Sequence, residues 1–118
     1  MQYDRVAITT DGAGAATVYS KPFAGLIAGI YLERDAVTPP DGTADFTITD
    51  HATGAAIVTA TNLAASARFV PAELADDLAG ADRAGVPALI PVHGAIKIVV
   101  AQGGASKLAY AHIYVRDC

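Results

Sequence analysis

Apolar and polar residues alternate with the period of two of a β-strand along much of this chain. The longest run of alternation, His93–Asp117, organises the rest. Ile96, Ile98 and Val100 alternate with Lys97, Val99 and Ala101, the pattern of a strand with one buried face. Further on, Leu108, Tyr110, His112 and Tyr114 alternate with Ala109, Ala111, Ile113 and Val115, so both faces are apolar or aromatic, as in a strand inside a sheet. Between them, Gln102–Ser106 contains the glycines that supply left-handed backbone in a short connection. The reading predicts a β-hairpin at the centre of a sheet.

The same pattern recurs upstream. Tyr3–Thr10 reads as a first strand with Val6 and Ile8 inward and Ala15–Ser20 as a second; Asp11-Gly12 is a turn signal between them, and the Ala13-Gly14 step fits a tight hairpin. Ala24–Arg34 reads as a strand buried on both faces; its Gly25 and Gly29 mark a bulge or a close backbone approach and suit a strand that bends between two sheets. Thr43–Thr49 and Ala55–Thr61 form a hairpin through Asp50–Gly54, and Ser66–Val70 is short and stops at Pro71. Ala72–Gly85 is the most acidic stretch. Leu74 and Leu78 there allow a turn or two of helix, and its polarity predicts a solvated surface loop. Pro87 and Pro91 place Val86–Val92 at a sheet edge or bend, followed by a turn at His93-Gly94. About eight short strands with almost no helix predict an all-β protein, a single domain over residues 1–118. The expected architecture is a small, jelly-roll-like β-sandwich of antiparallel hairpins.

Composition adds a pressure toward association. Hydrophobic residues make up 53% of the chain and charged residues 17%, below the roughly 25% of an ordinary soluble domain. That excess, although rich in alanine, points to surface covered by further copies or by a larger assembly. The net charge is −4, and the eight Lys and Arg residues are scattered singly. No basic stripe tracks a phosphate backbone, so nucleic acid is not an expected partner. Cys118 is the only cysteine, which excludes a disulfide within the chain and fits folding in a reducing compartment. Met1–Val6 is polar and no apolar run reaches the roughly 18 residues of a membrane span, so synthesis in the cytoplasm without secretion or membrane insertion is expected.

Recognisable chemistry is sparse. Ser20, Ser66 and Ser106 lie in no nucleophile elbow. Gly12–Ala16 begins a G-x-G pattern but runs into Thr17, Val18 and Tyr19 where a dinucleotide site needs a helix. The acidic stretch lacks the alternating ligands of a calcium loop. His51 stands alone in a turn, and His93 and His112 could meet only across the final hairpin, the single basis for a cupin-like metal barrel. The expectation is no catalytic residue, no cofactor and no metal.

The segments TTDGAGAATVYS, IYLERD, TADFTITDHATG and IKIVVAQGG, with a final strand ending IYV, resemble small virion proteins of tailed bacteriophages that are encoded among the head and connector genes. The resemblance runs from Ile8 to Val115 and rests on strand and turn patterns, weakest at Ala72–Gly85. It implies a head decoration, or cement, protein that sits as a homotrimer on the capsid exterior and binds the major capsid protein. Connector and tail proteins share such sandwiches. Large residues beside prolines often anchor interfaces, which nominates Phe23, Arg68 and Phe69. A receptor- or carbohydrate-binding module would need exposed aromatic platforms; with no Trp and eight aromatics mostly at strand positions, the sequence offers few.

Overall fold

The computed structural model of the chain describes residues 1–76 and 82–117. It is all-β: among the described residues there are eleven strands and no helix. They are β1 (Gln2–Thr9), β2 (Ala16–Tyr19), β3 (Phe23–Arg34), β4 (Asp45–Asp50), β5 (Ala56–Ala60) and β6 (Ala67–Phe69), then β7 (Ala72–Asp76), β8 (Asp82–Leu89), β9 (Pro91–Gly94), β10 (Ile96–Ala101) and β11 (Leu108–Arg116). One sheet has the order β1-β11-β3-β6, with β9 also paired to β3; the second has the order β2-β10-β4-β5. Strands β7 and β8 pair with each other as a separate hairpin.

The pairings nest. β4 pairs with β5, β3 with β6, β2 with β10 and β1 with β11, all antiparallel, which describes one long ribbon whose tip is the β4–β5 turn. Rolling that ribbon brings β11 against β3 and β10 against β4 and closes two sheets over one core. This is the jelly-roll arrangement, built from eight of the strands. The additional three, β7–β9, come from the stretch around Ala72–Gly94.

Alternation decides what the core contains. From the first sheet it takes Val6, Ile8, Ile27, Ile30, Leu32, Ile113 and Val115, and from the second Phe46, Ile48, Ile96, Ile98 and Val100. The inward assignments of Val6, Ile8, Phe46, Ile48 and the Ile96–Val100 series therefore hold. Ile57 and Val58 are consecutive and both buried, because the register shift between Ile48 and Thr49 leaves Ile57 as the extra residue of a bulge.

Four expectations change. β10 and β11 are not a hairpin: each is central, but in opposite sheets. Their connection is an arch, with left-handed backbone at Gln102, Gly104 and Ser106. Its hydrogen bonds go to other loops. Gly103 N–H donates to Gly14 O, Asp41 N–H to Gly103 O, and Lys107 N–H to the buried Thr10 Oγ1. Strands β1 and β2 likewise belong to different sheets, and the Asp11 carboxylate shapes their connection by accepting from Ala13 and Ala15 N–H. β3 stays within one sheet; its irregularity is a bulge opposite Tyr114 and Val115. Finally, Ala72–Asp76 and Asp82–Leu89 are strands, so the loop or helical turn expected over Ala72–Gly85 is replaced by a hairpin wherever it is described. Residues 77–81 of that expectation, and Cys118, lie outside the described residues.

The glycines of β3 divide into two uses. Gly25 has φ +153°, and a Cβ there would stand 2.0 Å from Arg116 O, so only glycine fits. Gly29 lies outside the left-handed region, and its Cβ would meet Phe69 O at an ordinary 3.6 Å. Its backbone does not require glycine.

Candidate functional site

The outward side of the β1-β11-β3-β6 sheet gathers the chemistry of this protein. Because the pairing is in register, outward side chains form rows across the strands. Arg5, His112, Tyr31 and Arg68 make one row. Tyr3, Tyr114 and Gly29 make the next, and Ala7, Tyr110 and Glu33 the one on the other side. Four of the chain's five tyrosines thus stand on a single face.

Contacts between the rows make this face continuous. The Tyr3 and Tyr114 rings lie 4.9 Å apart between centroids, and Tyr31 lies 5.7 Å from His112. The Arg5 guanidinium sits 3.9 Å above the Tyr110 ring, within cation–π range. At the centre, His112 is held from both sides: Nδ1 is 2.7 Å from the Tyr3 hydroxyl and Nε2 is 2.7 Å from Glu33 Oε1. The tautomer protonated at Nε2 satisfies both, with Tyr3 O–H donating to Nδ1 and Nε2–H donating to Glu33. This chain of bonds ties β1, β11 and β3 together. Its order, hydroxyl to imidazole to carboxylate, is that of a catalytic relay, but it lies on an open sheet face, where it orders the aromatic platform.

Beside the relay the face is hollowed. A depression of about 380 Å³ is bounded by Met1, Tyr31, Arg68, Val70 and Tyr114, with Gly29 in its floor. Any larger residue at Gly29 would begin to fill it. Val70 and Met1 are largely exposed and Tyr114 is 40% exposed, so the walls are apolar and accessible. Arg116 follows Tyr114 by alternation and is also exposed. Within the described strands of this face, three arginines accompany one carboxylate, Glu33, on a chain whose net charge is −4.

The residues nominated from sequence are spread over two environments. Arg68 is exposed and lines the depression. Phe23 is only 3% exposed and belongs to the core, and Phe69 is half-buried and packs against it. Neither phenylalanine presents an open ring. The histidines do not converge: His93 pairs with Ala24 and His112 with Tyr31, seven positions apart along β3, roughly 23 Å at strand rise. The cupin-like pair is thereby overturned. No group of three or more metal-ligating side chains occurs among the described residues. His51 is exposed in its turn, its ring steeply inclined to that of Tyr19 with the centroids 4.8 Å apart.

The expectation of few aromatic platforms needs correcting, since Tyr3, Tyr31, Tyr110 and Tyr114 form one. Their period-two spacing within β11 is a legible signal, but joining them to Tyr3 and Tyr31 required the strand register. No protein-family model matches the sequence, and no match was found among curated proteins.

Proposed function

We propose that this chain is a structural virion protein of a tailed bacteriophage, a capsid decoration protein that binds the outer surface of the major capsid protein lattice. The observation that carries the reading is the aromatic and arginine-bearing sheet face, whose Tyr, Arg and Met content is that of the centre of a protein–protein interface. It joins the resemblance of the strand and turn segments to small head and connector proteins. A rigid jelly roll without a disulfide suits such a part, and repeated copies on a lattice gain affinity through multivalency. This role needs no turnover of substrate, cofactor, nucleic acid or membrane contact.

The same face favours a second reading, a receptor- or carbohydrate-binding module using Tyr3, Tyr31 and Tyr114 as a stacking platform. Co-sedimentation of the purified protein with empty heads of the phage that encodes it separates the two. Saturable binding at a stoichiometry set by the lattice is the expected result. Absence of binding to heads would reject decoration and turn the search to connectors, tails or glycans.

A further inference from the structure

Opposite in character to the depression is a single projecting side chain. Val37 is 86% exposed, the most exposed large hydrophobic residue described. It sits in the turn after β3, and that turn is stiffly built. Asp35 Oδ2 accepts from the N–H groups of Val37 and Thr38 and from the Thr38 hydroxyl. Leu108 N–H donates to Thr38 O, and the Arg34 guanidinium donates to Pro40 O. An aliphatic side chain held in water on a rigid turn loses little freedom on docking. The Asp35 carboxylate lies beside it, bonded to the Val37 N–H.

The depression over Gly29 has the complementary properties. Its walls are Tyr31, Tyr114, Met1 and Val70, its rim carries Arg68, and Arg116 lies on the same face. Glycine in a strand interior weakens the strand, and at Gly29 neither φ nor a steric limit demands it. What its missing side chain does provide is the open floor of the hollow. We infer that this face receives a second copy of the same chain, with Val37 of one copy inserted over Gly29 of the next and the Asp35 carboxylate beside it facing Arg68 at the rim. Knob and depression occupy different parts of the molecule, so copies meet either as a mutual pair or head to tail in a ring. The inference rests on the decoration reading, in which the protein is its own partner, and gives the hollow over Gly29 to the neighbouring copy and the rest of the face, around Arg5 and Tyr110, to the capsid protein.

Light scattering coupled to size exclusion, across a dilution series, tests it with two variants. Val37→Asp removes the knob at an exposed turn, and Gly29→Leu fills the hollow from a position where a Cβ is tolerated. Each is expected to remain folded by circular dichroism and to weaken self-association by roughly tenfold or more. Mixing the two is the decisive step, because the intact hollow of Val37→Asp can accept the intact knob of Gly29→Leu. A one-to-one dimer in the mixture supports the inference. A wild-type protein that stays monomeric, an assembly indifferent to both variants, or variants that do not combine would each overturn it. Head binding by a strict monomer would overturn self-docking and leave decoration standing; self-assembly that ignores heads would do the reverse.

Discussion

His112 donates through Nε2–H to Glu33 Oε1 across 2.7 Å, joining the two central strands of the aromatic sheet. The same ring accepts from the Tyr3 hydroxyl, so one side chain bridges three strands. Replacing His112 by Phe keeps the ring's area and removes both bonds. We expect a loss of about 1–2 kcal/mol in chemical denaturation, with the fold retained. Glu33→Gln, which still offers an acceptor oxygen, should cost less than half as much.

The glycines of β3 should respond in opposite ways. Gly25→Ala drives a Cβ into Arg116 O and forces an unfavourable φ, so a loss of at least about 2 kcal/mol in unfolding free energy is expected. Gly29→Ala removes unfolded-state freedom at an unstrained position and should leave stability unchanged or raise it by up to about 1 kcal/mol. Thermal melts of the two variants check this directly.

In the core, Phe46 and Ile98 lie on neighbouring strands of the second sheet and are almost wholly buried. Phe46→Ala should cost about 3–5 kcal/mol and Ile98→Ala about 2–5, through lost burial and the cavities left. Thr59→Ala, exposed on the adjacent β5, should stay within about 0.5 kcal/mol. Urea titrations that rank the three differently would contradict the placement of the core.

Acid should loosen the loops. The Asp35 carboxyl is held below its ordinary 3.8 first by Thr38 N–H and then by Val37 N–H. Asp11 is held down by Ala15 N–H and then Ala13 N–H, and Asp117 by the Gln2 side chain and then the N-terminal ammonium. These groups bind protons more readily unfolded than folded. Their contribution is therefore present above the unfolded value and is lost as pH falls through the lower folded values. Denaturation midpoints should drop as pH is lowered from about 5, and Asp11→Asn with Asp35→Asn should flatten that slope.

Loop surgery separates an arch from a hairpin. Replacing Gln102–Lys107 by Asn-Gly would force β10 and β11 into one sheet, and we expect loss of cooperative unfolding and of amide dispersion in NMR spectra. The same replacement of His51–Ala55 joins strands that already pair and should preserve the fold.

That contrast marks where local pattern stops being informative. Period-two alternation placed the strands and named their inward residues, because burial of one face is written in each strand separately. It could not distinguish the Asp50–Gly54 connection, a true hairpin, from Gln102–Ser106 or Asp11–Gly14, which cross between sheets. In all three, a glycine with left-handed backbone, Gly54, Gly104 or Gly14, supplies the same freedom. The partners that hold the crossing loops, such as Thr10 with Lys107 and Asp41 with Gly103, are distant in sequence. Ala72–Gly85 misled for a related reason: Leu74 and Leu78 have helical spacing, whereas its described strands are stabilised by pairing with each other.

The sequence by itself determined an all-β chain, the inward positions of its strands and the close backbone approach at Gly25. Those properties follow from side-chain polarity and backbone freedom, which act over a few residues. Only the tertiary structure decided that β10 and β11 lie in opposite sheets, that Phe23 is core, and that Tyr3, Tyr31, Tyr110, His112 and Tyr114 share one face. The physical reason is register. Which residue stands beside which across neighbouring strands is fixed by closing the whole ribbon around its core, and no single strand carries that information.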